Sequence, residues 1–436
     1  MTRRTAFFLA LFLLYLAARL YSGLPAFERP RQRDDSPVFI ELSKQPLFSP
    51  RLWAAERPPA YALFLKATDR SLPITLAFQL ALSSLAWGAL ALVVASFLRH
   101  PGVQAFSFIW LLLLSLVPHL AGWDFTLLSE SLSLSLFVLF TALGLWLMQA
   151  WNPWKAAALV VTGFFLAFVR DTNAWLLLAL VVCLLIAVLL GWAHRRVLLL
   201  AACFAAFLLL SAASSNAGGR WVSPLINIIG RRVLTAPRSV NILQRLCDMP
   251  VSPELMGMRN EFANGRLEAL YTDPALKGFQ TWLLEQGRSC YPRLLISDPV
   301  HSLRAPLENL DELLAFRRAR GYFAHAYRSM LPASLEPLFY PVRFALGLWI
   351  VLTLAAVAAL FLEAWRSNRL WGGFLLLGLT VFPHLFLTWH SEVLEPERHA
   401  ITVGLQLALS AWILVFLLAD LLLAERESGT SRTSEA

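Results

Sequence analysis

The stretch TAFFLALFLLYLAARLYSGL, residues 5–24, decides the class of this chain. Two arginines, Arg3 and Arg4, stand just ahead of it, as in a signal peptide. No small-x-small cleavage site follows, and the apolar part is long, so it reads as a retained membrane anchor. Similar runs recur to the far end of the chain, each near the length that a bilayer demands. Across the whole chain 58% of residues are hydrophobic and 15% charged, and the mean hydropathy is +0.61. A soluble domain is nearer one quarter charged. The expected fold is therefore an all-α polytopic membrane protein.

The runs predict about ten transmembrane helices, at 5–23, 73–98, 104–121, 128–149, 156–169, 174–192, 197–213, 342–364, 370–388 and 400–423. Ten spans put both termini on one side. The connections on that side carry Arg3, Arg4, Arg99, Lys155, Arg195, Arg196, Arg366, Arg369, Arg426 and Arg432. Lys and Arg collect on the cytoplasmic side, so the termini are expected there, in a bacterial inner membrane. Segment 24–72, on the opposite side, runs against this with eight basic residues, though at lower density and with six acids among them. The organisation expected is a module of helices 1–7 with outer loop 24–72 over 1–213, a mostly helical outer soluble domain over 214–341, helices 8–10 over 342–424, and a disordered cytoplasmic tail over 425–436. Helical spacing is visible at 253–271 and 307–331.

The net charge is +9. On a membrane chain this points to anionic head groups or phosphorylated substrates, and no nucleic-acid motif is present. Cys183 and Cys203 lie in apolar runs and read as packing residues. Cys247 and Cys290 lie in the polar insert and could pair in an oxidising compartment or remain free thiols.

Polar residues gather at the outer ends of the helices. Asp34 and Asp35 follow helix 1; Asp124, Ser129 and Glu130 stand in GWDFTLLSESLSLSL; Arg170 and Asp171 in FVRDTNAW; His390, Glu392, Glu395, Glu397, Arg398 and His399 in WHSEVLEPERHA. Ionisable groups at the rim of apolar helices are costly unless paired or functional. The structural alternative is a salt-bridged cap joining helix ends. Pro37 suits the first position of a helix with Ser36 or Asp35 as cap, and PVFIELSKQ then forms a short amphipathic helix on the membrane surface. An ionised Asp at that boundary can take a proton from a hydroxyl. In ERPPAYALFLKA, Arg57 precedes a Pro-Pro pair that fixes an extended approach, where an arginine could grip a phosphate or simply anchor to head groups. Ser129 reads as an N-cap with Glu130 in the first turn, and Ser131, Ser133 and Ser135 form no single polar stripe.

RDDSPVF, ERPPAYALFL, Ser129-Glu130 and EPERHA, in that order, resemble the GT-C superfamily of membrane glycosyltransferases, which use polyprenyl- or dolichyl-phosphate sugars. The likeness covers helices 1 to 6 and resumes at the last pair. Phe39 departs from the usual Tyr, Ala62 from the usual Pro, and the large insert lies between helices 7 and 8. The resemblance implies catalytic roles for Asp35 as general base, Asp34 as its fallback and Glu130 as an orienting group. It implies substrate binding through Arg57, Tyr61, Arg170, Asp171, Glu397, Arg398 and His399. The partners implied are a polyprenyl-phosphate sugar donor, membrane lipid, and a glycan, lipid or protein acceptor. No His/Cys spacing demands a metal, although a divalent ion could join two of the carboxylates, and no cofactor is assigned. Competing classes are a transporter or flippase, disfavoured by spans nearly clean of charge at their centres; a polysaccharide ligase or polymerase using the region around GRWVSPLINIIGRRVL; and a non-catalytic scaffold.

Overall fold

The computed structural model describes residues 3–261, 270–314, 327–340, 345–361 and 368–433. Among them no strand forms, and the only ladder pairing is one bridge, Arg31 with Thr126. Helices dominate for a physical reason. Apolar segments in lipid find no water for their peptide groups, so each must satisfy them within itself.

The first helices are α1 (Arg3–Glu28), α2 (Ser36–Ser43), α3 (Pro50–Trp53), α4 (Pro59–Ala67), α5 (Leu72–Phe97), α6 (Pro101–Leu114) and α7 (Pro118–Ala121, running into a 3-10 turn at Gly122–Phe125). Then come α8 (Ser129–Gln149), α9 (Pro153–Val169), α10 (Asp171–Leu189) and α11 (Val197–Ala217). Among the described residues seven helices are long and apolar enough to cross a bilayer: α1, α5, α8, α10, α11 and two near the C-terminus, Leu370–Ser391 and Ile401–Leu423. The expected span 104–121 is instead broken. α6 and the helical stretch Pro118–Phe125 meet at 58°, because Pro118 cannot continue α6 and the residues before it leave the helical region. The expected spans 156–169 and 342–364 correspond to two shorter apolar helices, α9 and Ala345–Ala358.

The insert contributes α12 (Val222–Ile228), α13 (Pro237–Cys247), α14 (Pro253–Met256), α15 (Lys277–Trp282), α16 (Arg288–Ser297), α17 (Pro299–Glu308), α18 (Leu310–Leu314) and α19 (Glu336–Phe339). It has its own apolar core, with Leu225, Ile229, Leu243, Phe279, Trp282 and Leu294. Cys247 and Cys290 are bonded to each other within it, and Trp282 Nε1 donates to the Cys247 carbonyl (2.7 Å). The helix expected over 253–271 is one turn, α14, with 262–269 outside the described residues; of 307–331, residues 315–326 lie outside them. Leu310, Leu313 and Leu314 of α18 join the core of the bundle, so the end of the insert is seated on it.

The bundle closes with α20 (Ala345–Phe361), α21 (Leu370–Ser391), α22 (Pro396–His399) and α23 (Ile401–Thr433). α23 runs to Thr433, through most of the segment assigned by composition to a disordered tail. In the apolar windows of α8 and α23, 72% and 78% of residues are buried, against 22% in α1 and α11. The first two are the hub and the second two the periphery. This accounts for the serines of α8. Ser131, Ser133 and Ser135 do point to different sides, but every side is interior.

Candidate functional site

The turn before α2 is set by Ser36. Its hydroxyl donates to the Leu127 carbonyl (2.7 Å) and accepts the Arg33 N–H (2.8 Å), while the Leu127 N–H donates to the Arg31 carbonyl (3.1 Å). These bonds bring Asp35 beside the start of α8. Asp35 occupies the N-cap position of α2, yet its side chain makes no capping hydrogen bond. Its carboxylate is used elsewhere: Arg57 Nη2 donates to Oδ1 (2.7 Å) and Arg398 Nη2 to Oδ2 (2.9 Å). Asp34, next to it, is exposed and outside this cluster.

Arg57 lies just ahead of Pro58, whose extended backbone leads into α4 at Pro59. The loop before it is tied down by Arg220, which donates to the Ala55 carbonyl (3.1 Å) and forks onto both oxygens of Asp171 (2.9 and 3.1 Å). Asp171 therefore braces the loop that carries Arg57 and does not join the cluster itself. Gly218 belongs to the same brace, because a Cβ there would overlap the Ala55 carbonyl.

Arg398 is the centre. Its Nε donates to Glu130, its Nη1 to Glu395 Oε2 (3.0 Å) and its Nη2 to Asp35. Glu395 holds a left-handed backbone (φ 52°) that turns the chain into α22. Such a conformation is uncommon for a residue with a Cβ and marks local constraint. Glu130, at the first turn of α8, also pairs with Arg170 Nη1 (2.7 Å). Its other oxygen, Oε2, is buried with no hydrogen-bond partner among the described residues. Leu128, not Ser129, is the residue that precedes α8 at the cap position, and it caps nothing.

Arg170 Nη2 lies 3.0 Å from His399 Nδ1. A guanidinium only donates, so Nδ1 is the acceptor and the imidazole proton sits on Nε2, 3.9 Å from Glu392. Burial, together with Arg170 and Arg398, holds His399 well below its ordinary value, so it is neutral at pH 7. Burial pushes the Glu392 carboxyl up, against two backbone N–H bonds from Leu394 and Val393. For Arg398, burial alone favours the neutral form, but Glu130, Asp35 and Glu395 outweigh it and hold the guanidinium firmly charged.

These groups form a graded row. Side-chain exposure falls from 44% at Arg57 through 21% at Asp35 and 11% at Arg398 to 7% at Arg170 and 0% at Glu130. Arg57 is the most exposed cation of the row, and Arg398 lies behind Asp35, bonded to its other oxygen. Asp35, Arg57, Glu130, Arg170, Arg398 and His399 are thus brought together from five separate stretches of sequence. Glu397 is buried in the same turn as Arg398. Tyr61 is fully buried; its ring packs edge-on against Phe39 (5.0 Å), and its hydroxyl donates to Gln79 Oε1 (2.8 Å). It supports the α2–α4 pair from beneath.

A second polar cluster was not expected from the sequence. Arg19, inside the apolar run of α1, is 1% exposed. It donates to the Asp124 carboxylate, to Ser83 Oγ (2.7 Å) and to the Ser115 carbonyl (3.0 Å), and Ser131 Oγ donates to the other Asp124 oxygen (2.5 Å). The Asp124 and Thr126 carbonyls accept from Gln79 Nε2 (3.1 Å each), and Gln79 in turn holds Tyr61. α1 thus carries a buried cation in the C-terminal half of its run, and Asp124, in the turn after the α6–α7 bend, meets it there. The same network backs the 126–128 stretch on which Asp35 is positioned.

Among the described residues no three His, Cys, Asp or Glu side chains are grouped to hold a metal, and the carboxylates of the row already face guanidinium groups. The chain matches no protein-family model and no curated protein.

Proposed function

We propose that this chain is a GT-C-like membrane glycosyltransferase, which moves a sugar from a polyprenyl-phosphate donor to an acceptor hydroxyl at the outer face of the bilayer. The observation that carries this reading is the row itself: an aspartate at the rim flanked by two arginines, with a buried Glu130–Arg170 pair behind. Asp35 takes the acceptor proton, the hydroxyl attacks the anomeric carbon and inverts it, and the lipid phosphate leaves into Arg57 and Arg398. Preorganised guanidinium groups stabilise the charge that develops on that phosphate. Glu130 and Arg170 fix the orientation of Arg398, and neutral His399 donates no competing charge. In this reading the chain has ten spans, with α9, α20 and the bent α6–α7 pair completing the seven, and its termini are cytoplasmic. The Cys247–Cys290 bond supports an oxidising, outer location for the insert.

The test is transfer from radiolabelled polyprenyl-phosphate sugars in membranes, at equal protein level. Asp35→Asn is expected to lose transfer by about 10²–10⁴-fold, and Asp34→Asn to stay near wild type. Near-normal transfer by Asp35→Asn refutes the base assignment. A transport reading draws on the buried Arg19–Asp124 pair, since intramembrane charges mark ion and substrate paths. It predicts that labelled lipid crosses the bilayer without loss of its sugar.

A further inference from the structure

The two oxygens of Asp35 are bonded to Arg57 and Arg398, the two guanidinium groups that flank it at the exposed end of the row. With both oxygens engaged by guanidinium N–H groups, the carboxylate is held against the two arginines and is not turned to an acceptor hydroxyl. We infer that the site works by anion exchange: the phosphate of a lipid-linked donor takes over the Arg57 and Arg398 N–H groups from Asp35, so the carboxylate is free to act only once the donor is seated. This rests on the transferase reading and adds an order of binding, donor before acceptor.

Charge balance favours the exchange. The phosphate that joins a lipid to a sugar is a diester with one negative charge, so it replaces one carboxylate without leaving a buried guanidinium unpaired. Arg398 keeps Glu130 and Glu395 throughout, and Arg170 keeps Glu130. During reaction the acceptor O–H proton moves to Asp35, and a bond forms between the acceptor oxygen and the anomeric carbon. The bond from that carbon to the phosphate oxygen breaks, with its electron pair going to the phosphate. Asp35 goes from −1 to neutral and the phosphate from −1 to −2, so the total is unchanged. When Asp35 loses its proton to water it competes again for the two arginines and helps to expel the lipid phosphate. The same contact that silences the base before reaction thus clears the product after it.

The experiment is equilibrium binding of a fluorescent polyprenyl phosphate to the full chain in nanodiscs, with inorganic phosphate as a separate arm. Asp35→Asn and Asp35→Ala remove the competitor, so both are expected to bind about tenfold tighter than wild type, equivalent to about 1.4 kcal/mol, even though they do not transfer. Arg57→Gln and Arg398→Gln are expected to bind at least about tenfold weaker. If wild type binds and both Asp35 variants bind equally or more weakly, the exchange is overturned while the transferase reading stands. If wild type binds polyprenyl phosphate no better than phosphatidylglycerol, both fall. If inorganic phosphate alone shows the same gain in the Asp35 variants, the exchange holds but the lipid donor is refuted.

Discussion

Arg19→Met should destabilise this protein sharply, although the change looks harmless in an apolar helix. The guanidinium makes three contacts: the Asp124 carboxylate, Ser83 Oγ and the Ser115 carbonyl. Hydrogen bonds to a charged group are worth about 1.5–3 kcal/mol each. Their loss leaves Asp124, 2% exposed, facing the hydroxyls of Ser131 and Ser83 in place of a cation. Removing one partner of a buried pair costs about 3–5 kcal/mol, which agrees with three bonds at the low end of their range. Met keeps most of the apolar stem, so packing adds little. The double variant Arg19→Met/Asp124→Leu removes both charges. It should lie within about 2 kcal/mol of wild type, because a buried pair replaced by apolar groups is near neutral. The assay is denaturant unfolding in detergent, run as a double-mutant cycle with a coupling of at least about 2 kcal/mol expected. Loss of less than about 1 kcal/mol in Arg19→Met, or additive behaviour in the double variant, refutes the reasoning.

Three further outcomes follow from named contacts. Cys247→Ser/Cys290→Ser releases a link across 43 residues and should destabilise the insert by about 2–4 kcal/mol, read as faster proteolysis within 225–294 and matched by adding reductant to wild type. Gly218→Ala pushes a Cβ into the Ala55 carbonyl and so displaces Arg57; a shift of this size should cost about 10–100-fold in kcat/KM, with most of the loss in KM for the donor. His399 is held neutral when folded, while the unfolded chain takes up a proton below about pH 6.5. Its contribution to stability is therefore present at neutral pH and lost as pH falls through 6.5 toward the folded value. Glu392, raised by burial, acts with the opposite sign near the carboxylate range. His399→Asn keeps an acceptor for Arg170 and should remove about 1 kcal/mol of the stability loss between pH 7 and pH 5.5, measured by unfolding at the two pH values.

The long apolar helices were legible because their signal is local. A run such as 401–423 announces itself within twenty residues. The rim charges were legible as a set for the same reason: each stands beside the end of its own run. Which of them meet was not legible. Asp171 and Arg398 look alike as rim residues, yet Asp171 braces the Ala55 loop while Arg398 holds Asp35 and Glu130. Arg19 was passed over because its partner, Asp124, is 105 positions away, and the hydropathy of α1 absorbs one cation without a trace. The bend at Pro118 had a visible cause, a proline inside an apolar run, but its consequence needed the tertiary placement of Asp124. Tyr61 shows the converse. Its motif context suggested a ligand contact, and packing against Phe39 and Gln79 buries it instead.

The pairing of Asp35 with Arg398, 363 positions apart, also bears on how the protein is made. A ribosome feeds this chain into the membrane from its first helix onward, so Asp35, Arg57, Glu130 and Arg170 all emerge before Arg398 exists. Until then Glu130 has only Arg170 and Asp35 only Arg57 as a paired cation, and no side chain joins the two pairs. Chains cut short before α22 should consequently lack the one guanidinium that ties the two pairs together, and the loop carrying Asp35 would be held to the start of α8 only through Ser36 and Arg31.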